Sequence, residues 1–201
     1  MKELKKAIFP VEVRTRKSGA ISTMIGLALA FFLVGAPAAF GDDFVCTKTV
    51  GAITVDNVVV PDGRTCTLNG TRVEGNVFVL TKATLSASDV RVDGNIQTEG
   101  ARAVYVNPGS IVGGNIQIEQ GGKAEIKQTR VDGDIQLFQN KGALLARGNR
   151  VGGNMQVFQN TGGVRLFNNK IAENLQCKEN SPPPTGSGNI AGDKEDQCSR
   201  L

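Results

Sequence analysis

The sequence has 201 residues, enough for one ordinary domain once a leader is removed. It contains 25 glycines, which indicates many turns, and no histidine, which excludes histidine-based catalysis. The net charge of +4 does not indicate a nucleic-acid partner, because six basic residues lie in the first 18 positions and 17 Lys and Arg balance 17 Asp and Glu from Asp42 onward.

The N-terminal segment has the order of a secretory signal peptide. Residues 1–19 are basic, residues 20–34 are apolar and uncharged, and small residues follow. The apolar run is shorter than the about 20 residues that span a bilayer. We therefore predict a signal peptide over residues 1–41, with cleavage after Ala38 or Gly41 and no membrane span in the mature protein. An uncleaved N-terminal anchor is the alternative.

All four cysteines follow this leader, at Cys46, Cys66, Cys177 and Cys198. An even number in an exported chain favours disulfides. Three pairings are open, and the clustering at the two ends of the repeat region favours Cys46–Cys66 and Cys177–Cys198. A metal site is disfavoured because the sequence has neither a CxxC motif nor histidine. We expect no cofactor.

One seven-residue phrase recurs at intervals of 19 or 20 positions along the mature chain. It reads VEGNVFV (73–79), VDGNIQT (92–98), VGGNIQI (112–118), VDGDIQL (131–137), VGGNMQV (151–157) and IAENLQC (171–177). A fixed period of this length is typical of stacked-repeat folds, and leucine-rich repeats are disfavoured because their leucine frame is missing. Each phrase ends in the period-two alternation of a strand, and its glycines disfavour helices.

The sequence therefore predicts an all-β fold, a right-handed parallel β-helix of about six to seven turns with 19–20 residues per turn. The repeats cover residues 55–177, and residues 42–54 and the polar segment 178–201 form end caps tied by the disulfides. Stacked turns lie about 4.8 Å apart, so that equivalent residues form columns.

Two of these columns are predicted to fill the interior, one from Val73 to Ile171 and one from Val77 to Leu175. The glycine column at 75, 94, 114, 133 and 153 indicates a positive φ or a close backbone approach. Asparagines at 76, 95, 115, 154 and 174, interrupted by Asp134, are expected to form a hydrogen-bonded ladder, with glutamines at 97, 117, 136, 156 and 176 forming another outside.

Basic residues precede the inward valine in five turns of six. They are Arg72, Arg91, Arg130, Arg150 and Lys170. The first three are followed two positions later by an acid, which predicts a charge-paired, solvated face. Arg150 and Lys170 lack such an acid, so these two residues with Arg165 are the candidate site for an anion or a glycan.

Phe138 and Phe158 occupy equivalent positions in adjacent turns. They are expected either to stack on the surface, where with Phe167 they would form an apolar patch for a partner, or to lie in the interior.

Catalysis by a polysaccharide lyase or hydrolase would require clustered carboxylates, and Asp132 and Asp134 are the one close pair in a repeat. Both stand where the repeat accepts Asp or Asn, and no long loop is predicted to form a cleft. The sequence therefore favours a protein that is not an enzyme.

The VxGNIQV-type phrase over residues 55–177, together with the cysteine-bearing tail, resembles exported bacterial parallel β-helix proteins of uncharacterised function. The stacked architecture is also similar to that of bactofilin-like cytoskeletal solenoids. Those proteins are cytosolic, and the signal peptide and the cysteines of this sequence depart from that pattern. The resemblance implies the architecture and no residue-level activity.

These patterns together predict a periplasmic or secreted bacterial protein with a structural or surface-binding role. Its expected partner is a cell-envelope glycan or a polyanion, not nucleic acid, and its oligomeric state is open. A polysaccharide-binding or polysaccharide-cleaving β-helix protein is the alternative function.

The polar segment 178–201 would be disordered if it were not tied down. Reduction of the Cys177–Cys198 bridge should therefore loosen the C-terminal end first, and we expect proteolysis within residues 178–197 to accelerate in the presence of a reductant. Mass spectrometry of the early fragments measures this. Cleavage at the same rate with and without reductant would contradict it.

Overall fold

The computed structural model describes residues 43–201, and this part of the chain contains no helix. The predicted signal peptide, residues 1–41, lies outside the described residues. In chain order the strands are β1 (Asp43–Val45), β2 (Thr49–Val50), β3 (Thr54–Val55), β4 (Asn57–Val60), β5 (Thr65–Asn69), β6 (Arg72–Val73), β7 (Val77–Val79), β8 (Thr84–Ser88), β9 (Arg91–Val92), β10 (Ile96–Glu99), β11 (Ala103–Val106), β12 (Ile111–Val112), β13 (Ile116–Glu119), β14 (Lys123–Lys127), β15 (Arg130–Val131), β16 (Ile135–Phe138), β17 (Leu144–Arg147), β18 (Arg150–Val151), β19 (Met155–Phe158), β20 (Val164–Phe167), β21 (Lys170–Ile171), β22 (Asn174–Lys178), β23 (Thr185–Ser187) and β24 (Asp193–Asp196). Within residues 43–201 no helix is therefore long and apolar enough to cross a membrane.

Each circuit of the chain adds one strand to each of three parallel sheets. Sheet A has the order β1-β4-β7-β10-β13-β16-β19-β22-β24, sheet B has the order β2-β5-β8-β11-β14-β17-β20-β23, and sheet C has the order β3-β6-β9-β12-β15-β18-β21. Neighbouring strands pair in parallel, one circuit apart, as Ile116 does with Ile135. The predicted parallel β-solenoid is confirmed, while its right-handed winding stays a prediction.

The solenoid has about eight turns, so the predicted number of six to seven is too low. Strands β1 and β2 pair with β4 and β5, and β23 and β24 pair with β20 and β22, in register with the repeats. The added strands lack the repeat phrase, and β24 (DKED) has no apolar residue. Parallel pairing needs only backbone groups, and for this reason the side-chain pattern did not reveal the end turns.

The interior is a single apolar core made of columns that run through all the turns. Both predicted interior columns are buried, from Val73 to Ile171 on sheet C and from Val77 to Leu175 on sheet A. Sheet B adds further buried columns, for example Leu85, Val104, Ala124, Leu144 and Val164. Continuous burial of β-branched and aliphatic side chains is the main favourable term in the stability of such a rod.

The predicted asparagine ladder is present at the corner between sheets C and A, and we call it the C–A ladder. The Oδ1 atom of each side chain accepts a hydrogen bond from the backbone N–H one turn later, at 2.9 Å from Asn76 to Asn95 and 2.7 Å from Asn95 to Asn115. Asp134 takes the same role toward the N–H of Asn154, at 2.6 Å. The adjacent glycines serve close approach, since a Cβ on Gly114 would collide with the Asn95 side chain.

Two further asparagine ladders, which the sequence analysis missed, line the other two corners. The A–B ladder contains Asn140, Asn160 and Asn180, and the B–C ladder contains Asn149, Asn169 and Asn189. All six side chains are buried. Their recurrence at intervals of 20 was the available signal, but it lies outside the seven-residue phrase.

The chemistry of these two ladders differs from that of the C–A ladder. The Oδ1 atom of Asn160 accepts from the backbone N–H of Asn140 at 2.9 Å, and its Nδ2 atom donates to the carbonyl of Leu137 at 2.8 Å. Asn169 likewise donates to the carbonyl of Ala146 at 2.9 Å. Here both ends of the amide bind the backbone in a buried site. In the C–A ladder the oxygens bind the backbone, and the amide nitrogens of Asn95 and Asn154 donate to the side chains of Asn76 and Glu173.

Both predicted disulfides are present, and all four cysteines are buried. The Cα atoms lie 5.4 Å apart in Cys46–Cys66 and 5.3 Å apart in Cys177–Cys198, within the usual range for a bridge. The second bridge holds the C-terminal segment against the last turn, where Leu201 packs on the core. The disulfides thus close the two ends of the solenoid.

The difference between the ladders predicts a difference between two equivalent substitutions. Asn160→Asp should lower the free energy of unfolding at pH 7 by about 3 kcal/mol or more, because it buries a carboxylate and removes the donor to Leu137. Asn76→Asp should cost less than about 1 kcal/mol, because an aspartate oxygen can accept in its place. Urea unfolding of both variants measures the difference. Equal losses would show that the ladders are chemically alike.

Candidate binding surfaces

Two columns of side chains point outward from sheet A. The first contains Phe78 and then Gln97, Gln117, Gln136, Gln156 and Gln176, which is the predicted polar ladder. Each Nε2 atom donates to the next Oε1 atom, at 2.6 Å from Gln117 to Gln136 and at 2.9–3.0 Å elsewhere. The second column contains Glu99, Glu119, Phe138, Phe158 and Lys178.

Phe138 and Phe158 form a stacked pair on this outer face. Their ring centroids are 5.3 Å apart and their planes differ by 8°. The rings are half-buried, and their neighbours Leu137 and Val157 point into the core, so the interior placement that the sequence left open is wrong. The pair lies in a groove of about 340 Å³ lined by Glu119, Phe138, Gln139, Phe158, Gln159, Lys178 and Glu179.

Side-chain amides border the groove on both sides. The glutamine ladder of sheet A runs along one side, and Gln139, Gln159 and Glu179 form a second chain along the other, with hydrogen bonds of 2.9 and 2.7 Å. These three residues have positive φ angles of 56°, 58° and 56°, which turn the chain at the A–B corner. A primary amide that makes one ladder bond keeps further donor and acceptor capacity for a ligand.

Glu119 is the groove residue with a perturbed acidity. Partial burial raises the pKa of its carboxyl above the ordinary value of 4.5, and the negative charge of Glu99 one turn earlier raises it further. The carboxylate is therefore less favourable in the folded protein than in water.

The cations of sheet C form the predicted column, in which Arg72, Arg91, Ile111, Arg130, Arg150 and Lys170 succeed one another. The predicted pairing with acids two positions on is confirmed for Arg91–Asp93 at 3.0 Å and Arg130–Asp132 at 2.7 Å. Arg72 binds both Glu74, at 3.6 Å, and Asp93, at 2.7 Å.

The structure brings two of the three candidate cations together. Arg150 and Lys170 are direct neighbours in sheet C. Arg165 projects from sheet B, across the corner from Lys170, beside Leu145. Sheet B also carries Phe167, which is therefore not part of a patch with the rings of sheet A.

One cation of this region was not singled out from the sequence. Arg147 projects from the end of sheet B, paired in register with Phe167. Only buried Asn149 and Gly148, which has a φ of 67°, separate it from Arg150. It was missed because its column in sheet B, formed by Lys127, Arg147 and Phe167, does not repeat one type of residue.

The two aspartates considered for catalysis are engaged separately. Asp132 is exposed and binds Arg130, while Asp134 accepts the N–H of Asn154 in the C–A ladder. Within residues 43–201 no group of three or more acidic or cysteine side chains is arranged to hold a metal ion.

Comparisons with known proteins give no match: no protein-family model, no curated protein and no solved structure matches this chain.

The raised pKa of Glu119 predicts a pH-dependent effect of Glu119→Gln. The stabilising contribution of a protonated Glu119 is fully present below pH 4.5 and is lost as the pH rises through the higher folded-state pKa. The variant should therefore be more stable than the wild type near neutral pH, by less than about 1 kcal/mol because water screens the site. Thermal unfolding at several pH values between about 4 and 7 measures this, and a difference that does not change with pH would contradict it.

Proposed function

We propose that the protein is an exported, non-catalytic binding module of the extracytoplasmic space, whose solenoid is a rigid support for outward side chains. The two disulfides support an oxidising compartment. The signal-peptide pattern of residues 1–41 supports export. The corner asparagines are occupied by bonds between turns, so the outer faces are the surfaces that a partner would meet.

The observation that carries a binding role is the groove around Phe138 and Phe158. The ladders explain the outward glutamines, but no ladder requires two half-buried aromatic rings on a solvated sheet face. Apolar rings flanked by amides and a carboxylate suit a ligand with an apolar face and many hydroxyls. A cell-envelope glycan has this chemistry, and its uncharged sugar rings would lie along the groove.

Substitution of the rings tests this proposal with a matched control. Phe138→Gln/Phe158→Gln should weaken binding of neutral oligosaccharides, probed with hexamers of glucose and of N-acetylglucosamine, by about tenfold or more, since it removes the apolar surface. The control Phe78→Gln removes one aromatic ring from the same sheet face but outside the groove, so it should leave the affinity unchanged. It places a sixth glutamine in the first outward column of sheet A. Isothermal titration calorimetry measures all three proteins.

Two results would count against the groove. One is the absence of binding of either hexamer to the wild type, and the other is an equal loss of affinity in the Phe78→Gln control.

Polysaccharide cleavage is the second candidate function, and the Asp132/Asp134 pair would have to perform it. The ion pair to Arg130 and the ladder bond to Asn154 already account for both carboxylates. Turnover of a polysaccharide by the wild type and its loss in Asp132→Asn would overturn the non-catalytic proposal.

A purely structural role would leave a different signature. Such a protein should assemble with increasing concentration in the absence of any ligand, which sedimentation velocity detects. Assembly of this kind, together with no glycan binding, would replace the binding module by a structural element.

A further inference from the structure

The near-neutral composition after the leader conceals a strong segregation of charge along the solenoid. Residues 138–178, about two turns, carry six basic residues and one acidic residue. Residues 43–137 carry nine basic and 11 acidic residues, and residues 179–201 carry two basic and four acidic residues. A band with a net charge of +5 therefore lies between two segments with a net charge of −2 each.

Four of the six cations lie on the faces of the two sheets that meet at one corner, that between sheets B and C, and we call this group the basic corner. Arg147 and Arg165 project from sheet B, Arg150 and Lys170 project from sheet C, and all four are exposed. None of them forms an ion pair with an acid of residues 43–201.

The turn just before the basic corner shows how the fold neutralises such cations. There Lys127 binds Glu125 at 2.9 Å and Arg130 binds Asp132 at 2.7 Å. The hydrogen bonds from Lys123 and Lys127 hold the pKa of Glu125 below its ordinary value, so this carboxylate stays charged.

One turn later both neutralising acids are absent. Leu145 stands directly beside Glu125 in sheet B. Gly152 occupies the position of Asp132, and its N–H bonds to the carbonyl of Val131 at 2.8 Å. Cations in adjacent strands repel each other, and within residues 43–201 no acid forms an ion pair with Arg150 or Lys170. Cations held together without neutralising acids create a positive potential that attracts an anionic ligand.

Hydrogen bonds hold the backbone of the basic corner in place, and cationic and apolar side chains alternate on its surface. The buried B–C ladder lies beneath it, with Asn149 bonded to Asn169 and to the carbonyl of Ile126 at 2.8 Å. On sheet B, Leu145 neighbours Arg165 and Arg147 neighbours Phe167, so cations and apolar side chains alternate diagonally. The backbone that carries these side chains is therefore held in place, and binding has to order only the side chains.

We propose that the basic corner binds an acidic polysaccharide whose chain runs along the solenoid axis, a site distinct from the groove of sheet A. The guanidinium groups would pair with carboxylate or sulfate groups, for which the arginine fork is well suited. Phe167 and Leu145 would contact the apolar faces of the sugars between the charges. This alternation and the disulfides of an oxidising compartment favour a charged glycan over nucleic acid.

The test removes charge from the corner and compares it with an equal removal elsewhere. The corner variant is Arg147→Gln/Arg165→Gln, and the control is Arg102→Gln/Lys141→Gln, which removes two exposed cations at the A–B corner. The probes are polygalacturonate for carboxylates, heparin for sulfates, uncharged dextran and duplex DNA. Affinities are measured by biolayer interferometry at low and high salt.

We expect the wild type to bind polygalacturonate or heparin saturably, more weakly at high salt, and not to bind dextran. The corner variant should lose about tenfold or more in affinity and the control less than about twofold. Because removal of two cations relieves like-charge repulsion, the corner variant should melt at the wild-type temperature or above it. Binding of neither acidic polysaccharide, equal losses in both variants, or equally tight binding of DNA would each overturn the proposal.

The test of the basic corner can be distinguished from the test of the groove around Phe138 and Phe158. Phe138→Gln/Phe158→Gln should keep wild-type affinity for the acidic probe, and the corner variant should keep its affinity for neutral hexamers. Loss of acidic-polysaccharide binding in the phenylalanine variant would overturn the assignment to the basic corner.

Discussion

The stacking of each residue directly over its equivalent in the previous turn is the constraint on which the whole structure depends. Strands satisfy their backbone groups through parallel pairing, but three corners in every turn carry amides that the sheets do not serve. Asparagine does this along the C–A corner and, in the C-terminal turns, at the other two corners, because its oxygen accepts from the backbone of an adjacent turn. At the two corners that are fully buried, its amide nitrogen also reaches a strand carbonyl, as Asn160 reaches Leu137. The ladders thus make a triangular circuit of strands compatible with a dry interior.

The same constraint explains what the sequence could predict and what it could not. A phrase with fixed spacing revealed the period, the interior valines, the C–A ladder and the glutamine ladder, because each repeats its letters in nearly every turn. The A–B and B–C ladders occupy only the C-terminal turns and have Ala101, Gly121 or Val90 at the equivalent earlier corners. Their shorter columns were therefore hidden. The end turns were hidden for a related reason, since backbone pairing leaves no mark on side-chain composition.

The candidate surfaces show a similar division. Column arithmetic correctly placed Arg150 beside Lys170 and Phe138 beside Phe158, because neighbours in a column differ by one period. It could not tell on which of three faces residues of one turn would lie. For this reason the sequence did not show that Arg165 and Phe167 lie on sheet B, away from Phe138 and Phe158 on sheet A. Nor did it show that Arg147 lies close to the corner that Arg150 and Lys170 border. Departures from the repeat indicated which turns carry the candidate binding residues, and the structure showed which of these residues share a face.

The three ladders also restrict how such a chain can change its length in evolution. An insertion or deletion of one complete turn would rejoin every ladder, every interior column and all three sheets in register. Turns of 19 and 20 residues both occur, so a change of one residue is absorbed at a corner, whereas a change of half a turn would displace the corners and leave buried amides without partners. Residues 131–140 and 151–160, VDGDIQLFQN and VGGNMQVFQN, are identical at six of ten positions, as duplication of a whole turn would produce. The length of the solenoid therefore changes by whole turns, and each turn gained or lost adds or removes one row of outward side chains.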